Sequence, residues 1–244
     1  MHEQIGEHAL WHLPVIGTVH SDTVLTTWLV MAVTLPFFWW VASTYKTARV
    51  GKRQTVLEGL INYIADLTNS TIGPKGEPFV PFFIALFVFI FLLNEIGFFP
   101  FKALGMPFGG APTADLNTAV AYAVMVFFVI QVSGIRKEGI GFYKHLVKPF
   151  LPMLPINILE EILRPTTLAL RLFFNIFIGE LLLFVVYQVI IGHITIGPVN
   201  LSVLAAIFGP FLLEWFNFLV GALQAFVFVL LSIVYLSLAL ADDH

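Results

Sequence analysis

Long apolar runs separated by short polar segments dominate this chain, a pattern typical of helices that cross a membrane. No charged side chain occurs between residues 24 and 45, which is roughly 33 Å of helix and enough to span a bilayer. Similar runs predict four further spans, at about 79–99, 114–134, 158–191 and 201–241. The pattern therefore predicts an all-α integral membrane protein with about five crossings, forming one membrane domain over residues 1–244.

The segment from residue 54 to residue 72 has a different pattern. Its apolar residues, among them Leu57, Leu60 and Ile64, recur at helical spacing with Glu58 and Asp66 between them. This alternation predicts an amphipathic helix that lies in the cytoplasmic interface and does not cross. The alternative is an ordinary helix packed on the others, as in a soluble protein.

The last two predicted helices are longer than one crossing needs. The first, 158–191, is roughly 50 Å long if continuous, whereas an upright helix has about 30 Å of hydrocarbon to cross. The second, 201–241, carries Gly209 and Pro210, where we expect an interruption. Both helices must tilt steeply or project from the membrane, so part of each faces something other than lipid.

The composition agrees with a membrane protein and excludes several other classes. Hydrophobic residues make up 59% of the 244 positions and charged residues 11%, against about 25% charged in a typical soluble protein. The absence of cysteine excludes disulfides, thiolate metal sites and cysteine nucleophiles. A net charge of −3 without a basic block gives no footprint for nucleic acid. The histidines have no ligand spacing, so neither a metal site nor a cofactor is predicted.

Basic residues set the expected orientation. Lys46, Arg49 and Arg53 follow the first span, and Arg136 and Lys137 follow the third. Positive charges favour the cytoplasmic side, so the N-terminus is predicted outside and the C-terminus inside. No cleavable targeting segment is visible, which favours a bacterial inner membrane, with an organellar membrane as the alternative.

Arg171 is the most informative residue, because it lies inside a predicted span. An arginine at the bilayer centre costs roughly 2.5–3.5 kcal/mol on insertion scales and stays charged. Either a partner carboxylate or a water-filled cavity is expected to face it. The alternatives are that the side chain reaches the cytoplasmic interface or makes a static ion pair.

Other polar residues of the last two helices fall into a pattern around Arg171. On an unbroken helix Asn175 shares the face of Arg171, while Glu180 lies on the opposite face. Glu214, Asn217 and Gln224 lie on one side of the last helix. Such residues form either a polar track for ions or hydrogen bonds that hold helices together.

Four further positions carry weaker evidence. Asp115 stands at the start of a span, where it either caps the helix or faces an aqueous path. His193 is expected to contact a helix end or to relay protons. Glu161, with Glu160 beside it, is either a solvated helix start or the acidic lining of an inner path. Glu95 is expected to mark the membrane edge.

Three motifs resemble subunit a of the rotary F-type ATP synthases. They are LPINILEE at 154–161 followed by LRLFFN at 170–175 and GE at 179–180, GALQAFVF at 221–228, and PTADLNT at 112–118. The resemblance covers nearly the whole chain. One departure occurs at Phe174, where the family usually has glycine.

The resemblance implies a stator against which a ring of c subunits turns, each ring subunit carrying an ion-binding carboxylate. Arg171 would face that carboxylate, with Gln224 supporting it. Glu180, Asn217, Glu214, His193 and Asp115 would be candidates for the outer path, with Asn175 also in the aqueous track. Other implied partners are b-type peripheral stalk subunits and the remainder of the complex, which would carry the ATP chemistry.

The alternatives are a stand-alone secondary transporter for an anionic solute, which would use Arg171 for binding, and a structural membrane scaffold without transport.

Overall fold

The described part of the chain is almost entirely helical. The computed structural model describes residues 10–13, 17–44, 52–99, 101, 105–106, 109–146, 151–193 and 201–241. Within these ranges the helices are α1 (Ser21–Thr44), α2 (Lys52–Ile72), α3 (Val80–Glu95), α4 (Leu116–Glu138), α5 (Leu154–His193) and α6 (Leu201–Leu240). Short 3-10 turns flank several of them, at Pro74–Phe79, Ile96–Phe98, Pro112–Ala114, Gly139–Leu146 and Leu151–Met153.

Five helical segments are long and apolar enough to cross a membrane: those of α1, α4, α5 and α6, and α3 taken together with its flanking 3-10 turns (Pro74–Phe98). Only α2 lacks the necessary hydropathy among the helices described. The predicted all-α membrane fold is therefore confirmed. Helices α5 and α6 each contain 40 residues, which is about 60 Å of helix and twice the usual hydrocarbon thickness.

Two local features differ from the sequence-based expectation. A two-stranded antiparallel hairpin, β1 (Leu10–Leu13) with β2 (Gly17–His20), precedes α1, where only a polar lead-in was expected. The expected interruption at Gly209–Pro210 is wrong, because α6 is continuous through both residues. A proline removes one backbone donor without ending a helix where neighbouring groups satisfy the freed carbonyl.

Helix α6 is central to the packing, since it contacts α2, α3, α4 and α5. The core is built from Phe83, Leu86 and Ile90 of α3, Ala119, Ala123 and Val126 of α4, Leu168 and Leu172 of α5, and Phe228, Ile233 and Leu236 of α6. The alanines of α4 allow neighbouring helices to approach closely, which is the main source of helix association in lipid.

Helix α2 uses only one of its faces in this packing. Ile64 and Thr68 are buried against the core, whereas Asn62 and Asp66 on the other face are exposed. The amphipathic pattern of residues 54–72 thus corresponds to a helix that packs along α3 and α6 and keeps a polar face outward.

The turn after α4 is held by a close contact between Gly134 and Phe142. Phe142 is buried, and a Cβ on Gly134 would overlap its ring. We expect Gly134→Ala to destabilise the protein by about 1–3 kcal/mol, the usual cost of overpacking. The measurement is the thermal unfolding midpoint of the detergent-solubilised protein.

Gly59→Ala is the matched control, because Gly59 lies in α2 with no atom within 4 Å of an added Cβ. Its midpoint should stay the same or rise slightly, since alanine favours helix over glycine. Equal midpoints for the two variants would contradict the assigned packing at Gly134.

Candidate functional site

A polar cavity of about 400 Å³ lies between α3, α5 and α6. Each of the three helices contributes one carboxylate to its lining: Glu95 from α3, Glu180 from α5 and Glu214 from α6. Asn175 and Asn217 line the same cavity. Carboxylates at membrane depth are costly unless water or a partner solvates them, and this cavity is large enough to hold several water molecules.

The cavity depends on a close approach of α5 to α6. A Cβ on Gly179 would lie only 2.7 Å from Oδ1 of Asn217. Four residues earlier on α5, Nδ2 of Asn175 donates a hydrogen bond to the carbonyl oxygen of Val220 at 3.3 Å. These two contacts fix an antiparallel register in which the polar side chains of both helices meet.

Glu180 is held by the segment that precedes α4. Its Oε1 accepts a hydrogen bond from the backbone N–H of Ala111 at 3.2 Å. Gly110 and Ala111 complete the wall of the cavity beside it. Asn175 and Glu180 therefore line one cavity, although a simple helical projection placed them on nearly opposite faces of α5.

Asn94 connects α3 to α6 and to the segment that precedes α4. It is buried, its Nδ2 donates to the carbonyl oxygen of Gly221 at 2.9 Å, and its Oδ1 accepts from Thr113 at 2.7 Å. No role was predicted for Asn94 from the sequence. The sequence shows only an amide side chain at the end of a long apolar run. The hydrogen-bond partners of Asn94, Thr113 and Gly221, lie 19 and 127 residues away along the chain.

Glu95 does not merely mark the membrane edge, as the sequence had suggested. Its carboxylate lies in the cavity, and a Cβ on Gly221 would come within 2.8 Å of Oε1. This oxygen is buried and has no hydrogen-bond partner among the described residues.

Arg171 and Gln224 do not line the cavity. Arg171 is exposed on the surface of the isolated chain and has no ion pair or hydrogen bond to another residue in the described ranges. Gln224 is only 6% exposed, and its Nε2 has no hydrogen-bond partner within the same part of the chain. Phe174, at the position where glycine was expected, is 48% exposed and so fills no space inside the chain.

Asp115 occupies a separate place. Its Oδ1 accepts from the backbone N–H of Asn117 at 2.9 Å, which caps α4. Its Oδ2 pairs with Nδ1 of His20 at 2.8 Å. Both residues line a second cavity of about 560 Å³ formed with α1, so Asp115 caps α4 and also faces a cavity.

A third polar group surrounds Glu161 near the start of α5. Glu161 accepts a hydrogen bond from Nε2 of Gln131 and lies 3.3 Å from Arg164. Tyr143 donates to Gln131 at 3.3 Å, and Arg164 lies over the ring of Tyr235. Glu160 is exposed beside this group.

The remaining sequence-based expectations concern His193 and the other histidines. The side chain of His193 lies outside the described residues, as do the first nine residues with their histidines. Within the described ranges, no group of three or more His, Asp or Glu side chains is arranged to hold a metal ion.

Comparison with known proteins gives one consistent result. The family described as "ATP synthase A chain" matches residues 24–237. A relative named "ATP synthase subunit a", from Desulforamulus reducens, is 34% identical over 233 residues, which are 93% of this chain and 82% of that protein. The matched range contains all three motifs quoted above and every residue that lines the cavity.

Water in the cavity can be tested directly, because the chain has no native cysteine. In native membranes, we expect Asn217→Cys to react with a charged, water-soluble thiol reagent. The reason is that water around the cavity allows the thiol to ionise. The measurement is the labelling rate by mass spectrometry.

Two controls separate water from simple exposure. Ile90→Cys lies in the core, at 0% exposure, and should not react. Leu223→Cys is 62% exposed on the apolar outer face of α6 and should react slowly, since lipid or a partner covers that face. Labelling of Asn217→Cys no faster than that of Ile90→Cys would contradict a hydrated cavity.

Proposed function

Because the chain belongs to the ATP synthase A chain family, we propose that the cavity around Glu180 is its proton half-channel and that Arg171 faces the ring of c subunits. The family is the proton-translocating stator subunit of F-type ATP synthase, and this chain is a multi-pass integral membrane protein of that complex. The observation that carries the proposal is the convergence of three carboxylates from three helices on one cavity.

The lining of the cavity suits proton transfer. Glu180, Glu214 and Glu95 can bind and release protons, while Asn175 and Asn217 can hydrogen-bond the water between them. The N–H of Ala111 keeps Glu180 in place. Protons would move between these groups through water, driven by about 2.3 kcal/mol per charge per 100 mV.

Arg171 is suited to the opposite task, since it cannot release its proton. Its exposed position on α5 leaves its charge without a partner in the described chain. In the membrane, that charge needs a counter-ion, and a ring carboxylate passing in front of it would provide one. The arginine then favours the ionised form of that carboxylate and promotes proton release. It also prevents a direct leak between the two half-channels.

Gln224 is assigned as the support of Arg171. From the contact of Asn175 with Val220, four residues along each antiparallel helix lead to Arg171 on α5 and Gln224 on α6. Both side chains are therefore expected at the same depth. The Nε2 of Gln224, which is buried without a partner in the described chain, would donate to a water molecule beside Arg171.

The remaining predicted site residues are assigned by position. Glu161, with its partners Gln131 and Arg164, would line the inner path. Asp115 would hold the start of α4 at the outer mouth, and His193 stays assigned to the outer path by sequence alone.

The N-terminus would lie outside and the C-terminus in the cytoplasm of a bacterial cell, with an organellar membrane as the alternative. ATP chemistry would belong to other subunits, and b-type stalk subunits would hold this one still. The comparisons give no support to a stand-alone transporter.

Replacing Arg171 tests this proposal. In the assembled complex, Arg171→Ala should abolish ATP-driven proton pumping into inverted vesicles, because no cation then drives release from the ring. Passive proton leak through membranes stripped of the ATPase part should rise, because the seal between the half-channels is lost. Arg171→Lys should retain little pumping, since an ammonium is a point charge without the guanidinium fork.

Arg136→Ala is the control, because Arg136 is an exposed arginine at the end of α4. It should pump like the parent protein. Unchanged pumping by assembled Arg171→Ala would show that Arg171 has no part in translocation and would contradict the proposal.

A further inference from the structure

We propose that Glu95 is a proton-binding residue of this half-channel and the cavity carboxylate nearest in depth to Arg171 and Gln224. The inference rests on the proposed function of the cavity. Nothing in the sequence motifs pointed to this residue, which lies on α3, outside all three of them.

Contacts with α6 give the depth of each carboxylate. Glu214 is part of α6 itself, and Glu180 follows Gly179, which faces Asn217. Glu95 instead contacts Gly221. At 1.5 Å per residue, Gly221 lies about 6 Å beyond Asn217 and only about 4.5 Å before Gln224. Glu95 thus lies between the depth of Glu180 and the depth of Gln224.

This position fills a gap in the proposed path. Glu180 is nine residues from Arg171 along α5, which is about 13.5 Å of helix. A proton crosses a single hydrogen bond of about 2.7–3 Å, so intermediate groups are required. Among the described residues that line the cavity, Glu95 is the carboxylate at the intermediate depth.

The surroundings of Glu95 favour a carboxyl group that gains and loses a proton. Its Oε1 is buried without a hydrogen-bond partner in the described chain, and an unpaired buried charge is costly. Glu180 from α5 and Glu214 from α6 face the same cavity, so ionisation of all three is disfavoured by like-charge repulsion. In the proposed step Glu95 accepts a proton from the water next to Glu180 and passes it, again through water, toward the ring carboxylate, with no net change in Glu95.

The geometry also explains why Glu95 can reach this depth. Residue 221 is glycine, and a Cβ there would lie only 2.8 Å from Oε1 of Glu95, which would have to move away. The neighbouring Asn94 is bonded to the carbonyl oxygen of Gly221, which fixes the end of α3 against α6. The hydrogen bond of Asn94 thus holds the end of α3, while Oε1 of Glu95 is left without a hydrogen-bond partner in the described chain.

The isosteric variant Glu95→Gln separates proton binding from packing, because glutamine keeps the shape and cannot bind and release a proton as a carboxyl group does. We expect passive proton conductance of ATPase-stripped vesicles to fall by about a hundredfold or more, because a positioned proton-transfer group contributes roughly 10²–10⁴-fold. Glu95→Asp should retain conductance with a changed pH profile. Glu77→Gln is the control, because Glu77 is an exposed glutamate outside the cavity, and its proton conductance should equal that of the parent protein. The amount of assembled complex should be the same in every variant.

Glu180→Gln is measured in parallel to separate the two hypotheses. Loss of conductance in Glu180→Gln with full conductance in Glu95→Gln would overturn the role of Glu95 and leave the half-channel intact. Full conductance in both variants would contradict the half-channel itself. If Glu95→Gln does not assemble, the pH dependence of proton conductance in Glu95→Asp decides whether Glu95 binds protons. A profile identical to that of the parent would mean a purely structural role, and a shifted profile would support proton binding.

Discussion

The contact between α5 and α6 at Gly179 determines how this protein holds polar groups inside a membrane. Lipid offers no hydrogen bonds, so each polar side chain needs protein or water around it. Because Gly179 has no side chain, Asn217 fits against α5, and Asn175 can reach the carbonyl oxygen of Val220. The two helices then bring Glu180 and Glu214 to the same cavity. A larger residue at position 179 would displace the side chain of Asn217, which lines the cavity.

The packing around this contact suits a subunit that stays still while another moves past it. Helix α6 touches four other helices, and its buried side chains form the centre of the core. Asn94 adds hydrogen bonds from α3 to α6 and to Thr113 before α4. The cavity is therefore bounded by close-packed elements, which transmit strain and resist deformation. A fixed distance between carboxylates is what proton transfer through water requires.

The sequence predicted the helices well because long apolar runs leave few alternatives in a membrane. It also singled out Glu180, Glu214 and Asn217, which line the cavity, since a polar residue in an apolar run stands out by itself. The hairpin before α1, the pairing of His20 with Asp115 and the role of Asn94 were missed. For His20 and Asn94 the evidence lies in partners distant in the chain, such as Asp115, which is 95 residues from His20, whereas the hairpin pairs neighbouring residues that carry no strong strand pattern. Spacing along one helix cannot reveal such pairs. The continuity of α6 through Pro210 was missed for a related reason, since neighbouring groups decide whether a proline ends a helix.

The helical projection of α5 explains how one helix can serve both the cavity and the ring. Arg171 points out of the isolated chain, while Glu180, about half a turn away in projection, faces the cavity. Asn175 lies only about 40° from Arg171 in projection, yet it lines the cavity with Glu180. The edge of the cavity must therefore run along α5 between Arg171 and Asn175. In the proposed mechanism a proton leaves the water at this edge, at the depth where Asn175 contacts Val220 and Glu95 contacts Gly221. The arginine lies one helical turn beyond, close enough to act on a ring carboxylate that receives the proton and far enough to stay outside the water.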